Sequence, residues 1–158
     1  MFESLLRFAH RAIHDRRLAA QPRISEAAFQ SELRAHLHAD PGIGARHWEA
    51  PRLASGIADL GLGNVVLELK VEHDRVVTMD RAAEFMSQPA HYAADIDRPV
   101  SILCILDDSE KENPPGSLAN YMGWLLPSLH SLSDPRFPSL VAVVIVPIRF
   151  PRPSDWSA

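Results

Sequence analysis

Three residues have the types and the spacing to do chemistry together. Asp59 lies in Gly56-Ile57-Ala58-Asp59-Leu60, and nine residues later comes Glu68-Leu69-Lys70, directly after Val65-Val66-Leu67. Side chains alternate along a strand, so Glu68 and Lys70 share one face while Leu67 and Leu69 share the other. A strand buried in an apolar core carries two charges on an inward face only for a reason. A turn at Gly61-Leu62-Gly63-Asn64 makes the two segments a hairpin and returns Asp59 to the side of Glu68. Two carboxylates then converge beside an ammonium, and close carboxylates resist ionising together unless a cation sits between them. A hard divalent ion, Mg²⁺ or Mn²⁺, meets that need with oxygen ligands from Asp59, Glu68 and the backbone carbonyl of Leu69. Such an ion lowers the pKa of bound water and polarises a phosphoryl oxygen. A lysine beside it orients that water or stabilises developing negative charge. The set is complete for phosphodiester hydrolysis. The plain alternative is an ordinary Glu-x-Lys ion pair at a strand edge, which is worth little.

The elements that must hold these residues follow from the surrounding pattern. Residues 2–19 read as a helix, with Leu5, Leu6, Ala9, Ile13 and Leu18 as its apolar stripe and arginines opposite. Gln21-Pro22-Arg23 breaks it. Ser25 is an N-cap for a second helix that buries Phe29, Leu33 and Leu37 and stops at Asp40-Pro41-Gly42. Strands are expected from Trp48 to Leu53, from Gly56 to Leu60 and from Val65 to His73. Val65-Val66-Leu67 is apolar on both faces, as a central strand is. Thr78 caps a third helix running to about Ile96, kinked or interrupted at Pro89. Val100 to Leu106 is a buried strand, Asp107 to Gly116 an exposed loop, residues 117–130 an ambiguous stretch that could be a helix ending near Pro127, and Leu140 to Ile148 the last strand. The fold class expected is α/β, a mixed central sheet flanked by helices. The chain is read as one domain over residues 1–158, with a proline-rich tail at about 149–158.

Asp59 with Glu68-Leu69-Lys70 resembles the signature of the PD-(D/E)XK nuclease superfamily. The expected order of helix, three strands, helix and further strand resembles that superfamily's restriction-endonuclease-like core, over about residues 25–106. The resemblance implies catalytic roles for Asp59, Glu68 and Lys70, with the ion held by Asp59, Glu68 and the Leu69 carbonyl. Many members add a glutamate from the preceding helix to the metal shell, and Glu32 takes that place. RecB-like members carry Gln-x-x-x-Tyr in the helix after the lysine strand. Gln88-Pro89-Ala90-His91-Tyr92 fits it, which puts Gln88 with the catalytic set and Tyr92 against nucleic acid. Ala58 stands where the motif has proline, and Pro89 inside the Gln-x-x-x-Tyr helix departs from the pattern.

Composition bounds these expectations. The chain has 158 residues, 46% of them hydrophobic, enough for a folded core without disulfides. Cys104, the one cysteine, sits in an apolar run and reads as a small buried hydrophobe, consistent with a reducing, cytoplasmic setting. No apolar run reaches the length of a membrane span. The net charge of −4 weighs against a nucleic-acid binder. It also supports the competing reading of an inactive nuclease-like binding or assembly module in a larger complex. Metal-dependent nucleases partly escape the objection because their sites need carboxylates. Arg34 and the N-terminal arginines are candidate phosphate contacts on charge alone. The partner expected is nucleic acid, DNA ahead of RNA. A second copy or a partner subunit is expected for control, by analogy with defence systems. A third reading, a small regulatory α/β protein unrelated to nucleases, requires Glu68 and Lys70 to be exposed and far from Asp59.

Overall fold

The computed structural model describes residues 1–43, 52–53, 56–57, 59–62, 65–127, 140–152 and 154. Two helices lead: α1 (Phe2–Asp15) and α2 (Glu26–Ala39). α1 ends where Arg16 turns to φ 55°, the left-handed conformation common just past a helix. α2 begins as expected, with the Ser25 hydroxyl accepting from the Ala28 amide, and it buries Phe29, Leu33 and Leu37 completely.

Four strands follow: β1 (Arg52–Leu53), β2 (Gly56–Ile57), β3 (Leu60–Leu62) and β4 (Val65–Glu72). The expected run from Gly56 to Leu60 is thus divided. β1 and β2 pair only with each other, while β3 carries on through Gly61 and Leu62, assigned above to a turn, and pairs antiparallel with β4. The stretch expected to open the first strand, Trp48 to Pro51, lies outside the described residues, as do Ala58, Gly63 and Asn64.

The helix expected from Thr78 to Ile96, kinked or interrupted at Pro89, is three pieces. These are α3 (Met79–Ala82), a 3₁₀ turn (Ala83–Phe85) and α4 (Ser87–Asp95). Thr78 caps α3 through its hydroxyl, as expected. Pro89 falls in the first turn of α4, where its missing N–H has no intrahelical acceptor to lose. The proline therefore sits near a helix start and not at a kink.

Then come β5 (Val100–Asp107), a 3₁₀ turn (Leu118–Tyr121), β6 (Met122–Leu125) and β7 (Leu140–Pro147). Residues 117–127 therefore hold an edge strand and no α-helix. The main sheet has five strands in the order β3-β4-β5-β7-β6; β4, β5 and β7 run parallel, and the two outer strands are antiparallel to their neighbours. β5 is the central strand, and β4 is covered on its outer side by β3 only as far as Leu67.

The protein is an α/β domain with a mixed five-stranded sheet flanked by helices. On one face Leu67, Leu69, Ile102, Cys104, Val144 and their neighbours pack under α1 and α2. On the other, Leu103, Ile105, Val143 and Ile145 pack under Ala82 and Ala90 of the α3–α4 layer. The buried side chains of this sheet are nearly all branched aliphatics, each worth about 1.5–3 kcal/mol on removal from water. Cys104 is fully buried, and burial pushes its thiol up to about 12, so it behaves as the small hydrophobe expected. Among the described residues no helix is long and apolar enough to cross a membrane.

The loop expected from Asp107 to Gly116 is exposed at Glu110, Glu112, Asn113, Pro114 and Gly116, but its first three residues are not. Asp107, Asp108 and Ser109 are buried at the carboxyl end of β5. The Asp108 carboxylate accepts from the Ile24 amide at 3.2 Å, from Arg149 Nε at 2.7 Å, and pairs with His73 Nδ1 at 2.8 Å. Asp107 accepts from the Val77 amide, from Ser109 and from Lys111 Nζ. Arg149 adds bonds to the carbonyls of Ala19, Gln21 and Pro22. Its backbone sits at φ 60°, a strain of about 1–3 kcal/mol for a non-glycine residue, which this set of bonds offsets. The network ties the α1–α2 connection to the ends of β5 and β7.

Candidate metal centre

Glu68 and Lys70 project from β4 toward the α3–α4 layer, because their register partners on β5 are Leu103 and Ile105. The Glu68 side chain is 2% exposed and the Lys70 side chain 24%, and Lys70 Nζ donates to Glu68 Oε1 at 2.7 Å. This is a buried pair with one end open to water, not a surface ion pair. The other carboxylate oxygen, Glu68 Oε2, is buried without a hydrogen-bond partner. An ionised oxygen in that position costs several kcal/mol unless a cation or a proton joins it.

Asp59 lies one residue before β3, and extending the β3–β4 register places it across from Glu68. Its Oδ2 accepts from the Leu69 amide at 2.7 Å. That bond has room to form because β3 starts only at Leu60, and among the described residues the outer side of β4 has no strand neighbour beyond Leu67. The Leu69 N–H leaves β4 toward Asp59, and a strand residue's carbonyl leaves on the same side as its N–H. Asp59, Glu68 and the Leu69 peptide therefore meet at this open edge.

Electrostatics agree with the geometry. Burial pushes the Glu68 carboxyl up to about 7; the Lys70 bond opposes the rise, while the charges of Asp59 and Glu26 add to it. Burial alone would lower the Lys70 ammonium, but the bond to Glu68 and the surrounding carboxylates outweigh it and raise it. At neutral pH the lysine is charged and Glu68 is poised between its two forms.

Glu26 is a member that the sequence pattern did not single out. It stands in the first turn of α2, and its charge acts on both Glu68 and Lys70. Gln30, one turn further on the same helix face, donates from Nε2 to the Asp59 carbonyl at 2.7 Å. Glu32 lies about 200° around the helix from Gln30, so it points the other way. It is exposed, lines a small surface pocket with Asp15 and Arg17, and its charge acts on Arg17. The α2 glutamate whose charge reaches Glu68 and Lys70 is thus Glu26, and Glu32 is not brought to them. The signal lay in the helix period: Glu26 and Gln30 repeat at four residues, whereas Glu32 is out of phase with both.

Gln88 and Tyr92 are on α4, over the same sheet face as Glu68 and Lys70. Gln88 Nε2 donates to the Tyr92 hydroxyl at 2.7 Å. The Tyr92 ring is 3% exposed and packs on Val66, two residues before Glu68 on that face. Tyr92 is a core residue of this layer, which leaves little of it to meet nucleic acid, and Gln88 commits one N–H to it. Arg34 is exposed on α2. Most of the N-terminal arginines are engaged within the protein: Arg7 with Glu3 and Asp40, Arg11 and Arg17 with Asp15, and Arg16 with the carbonyls of Phe150 and Pro151. Among the described residues no group of three or more His, Cys, Asp or Glu side chains is gathered closely enough to hold a metal ion by itself. A centre at β4 would therefore draw on the two carboxylates and a backbone carbonyl.

The chain matches no protein-family model, no curated protein and no solved structure.

Proposed function

We propose that the protein is a metal-dependent nuclease with a restriction-endonuclease-like core of the PD-(D/E)XK type, hydrolysing phosphodiester bonds, in DNA ahead of RNA. The observation that carries this reading is the Glu68 carboxylate: buried, bonded to Lys70 through one oxygen, unpartnered at the other, and set across from Asp59. A structural ion pair has no use for that second oxygen. A divalent ion fits it, with Asp59, Glu68 and the Leu69 carbonyl as ligands and Glu26 adding negative charge at the rim. When bound, Mg²⁺ or Mn²⁺ supplies Lewis acidity toward a phosphoryl oxygen and a lowered pKa for water.

The chain's own residues do the rest. Asp59 is aimed by its bond from the Leu69 amide. Without a cation, burial pushes the Glu68 carboxyl up to about 7; a bound divalent ion would favour its ionised form, as a ligand requires. Lys70 carries a fixed positive charge to the water-facing end of the pair, where it can orient a nucleophilic water or stabilise charge on the phosphoryl group. Gln88 and Tyr92 support the layer over this face.

The test is a cleavage panel over duplex DNA, single-stranded DNA and RNA with Mg²⁺ and Mn²⁺. Cleavage that EDTA and Lys70→Ala each abolish supports the reading; intact substrate throughout refutes it. One observation favours the competing reading of an inactive binding or assembly module. Arg7, Arg11, Arg16 and Arg17 each have a partner within the protein, and the net charge is −4, which weighs against a strongly phosphate-binding surface. Under that reading Mn²⁺ would show no binding that depends on Asp59 and Glu68.

A further inference from the structure

We propose that Gln30 is a positioning residue of the metal centre, acting through Asp59; the inference rests on the reading of Asp59 and Glu68 as metal ligands. Asp59 sits between two very short strands, β2 of two residues and β3 of three. The β3–β4 pairing stops at Leu60↔Leu67, so no ladder bond fixes the peptide that carries Asp59. Two contacts from outside replace it. The Leu69 amide holds Asp59 Oδ2 at 2.7 Å, and Gln30 Nε2 holds the Asp59 carbonyl at 2.7 Å. One tether comes from β4 and the other from α2, and together they set both the backbone and the carboxylate of one residue.

The α2 tether stands on a firm base. Phe29, Leu33 and Leu37 are 0% exposed and lock the helix to the sheet, so the Gln30 amide is delivered from a fixed platform. The residue type also suits the place. The surroundings already hold Asp59 and Glu26, whose charges act on both Glu68 and Lys70. A glutamine donates to a carbonyl without adding charge, whereas a glutamate would offer an acceptor to an acceptor. Losing the donor frees the Asp59 peptide, and outer-shell partners of metal ligands typically contribute about 10- to 100-fold in metal affinity.

The experiment is calorimetric titration of the intact protein with Mn²⁺, alongside thermal melts without metal, for wild type, Gln30→Met and Gln30→Ala. Methionine keeps the length and helix preference of glutamine and removes the donor. The expected result is a loss of about tenfold or more in Mn²⁺ affinity for both variants, with the metal-free melting temperature of Gln30→Met close to wild type. Wild-type Mn²⁺ affinity in a folded variant overturns the proposal, even if its melting temperature falls, because Gln30 would then serve stability alone. If Gln30→Met fails to fold, the same comparison is made with Gln30→Ala. Wild type that takes up no Mn²⁺ overturns the metal centre itself, and that outcome is distinct from a variant matching a wild type that does bind.

Discussion

Replacing Glu68 by glutamine is expected to stabilise the metal-free protein at pH 8 while removing its metal chemistry. Burial raises the Glu68 carboxyl from 4.5 to about 7 in the folded state. A group whose folded pKa lies above its unfolded value contributes stability that is complete below the unfolded pKa and is lost as pH rises through the folded one. Here the window runs from 4.5 to about 7, and the difference corresponds to about 3 kcal/mol at full ionisation. Glutamine resembles the protonated acid and does not ionise. Lys70, already 24% exposed, can turn into water once its partner is neutral. A buried amide N–H without an acceptor takes back about 1–3 kcal/mol, so the net gain at pH 8 is at most about 2 kcal/mol. At about 2–4 °C per kcal/mol for a domain of this size, the melting temperature rises by at most several degrees. The assay is thermal or urea unfolding in EDTA from pH 4.5 to 8.5, wild type beside Glu68→Gln. The two stabilities are expected to approach one another at the acid end and to diverge as pH rises, with the variant above. A variant clearly less stable than wild type at pH 8, or a pH profile parallel to wild type, would refute the reasoning.

Three further outcomes are expected. Lys70→Ala retains Mn²⁺ binding in calorimetry but loses cleavage, since the lysine acts on the reaction and not on the ion; loss of both together would contradict this. Glu26→Gln weakens Mn²⁺ binding several-fold while Glu32→Gln leaves it unchanged, because only the first carboxylate acts on Glu68; the reverse order would return the helix role to Glu32. Arg149→Ala lowers stability by about 3–5 kcal/mol in urea unfolding, because it strips a buried partner from Asp108 and several carbonyls; a loss below about 1 kcal/mol would make the network incidental.

The parts legible in the sequence were those decided by local pattern. Ser25 and Thr78 announced their helices because a cap is a local hydrogen bond. Phe29, Leu33 and Leu37 announced a buried face because the helix period is fixed. The Val-Val-Leu run, Val100 to Leu106 and Leu140 to Ile148 read as strands because nothing but a sheet core hides so many branched residues in sequence. Glu68 and Lys70 stood out for the same reason, as charges interrupting such a run. The burial of Glu68 and the bond between the two follow from that placement.

What was not legible depended on distant partners. Asp107, Asp108 and Ser109 look like loop, and they are buried because His73, Lys111 and Arg149 arrive from elsewhere to satisfy them. Residues 117–130 read as ambiguous, with a helix ending near Pro127 as one option, and Met122 to Leu125 becomes an edge strand by pairing with β7. Gly61 and Leu62 looked like turn but belong to β3, and Asp59 falls in the gap between β2 and β3 instead of inside one strand. Glu32 was chosen by its place in the chain, and the helix phase set by Gln30 and the buried leucines turns it away from the centre. Pro89 was expected to kink or interrupt its helix; the interruption comes just before Ser87, so the proline meets an N-terminal turn.

The most direct test of the metal centre is anomalous scattering from crystals grown with Mn²⁺. One ion is expected at the open edge of β4, ligated by the carboxylates of Asp59 and Glu68 and by the Leu69 carbonyl. No ion there at saturating Mn²⁺, with Lys70 still bonded to Glu68, would contradict it.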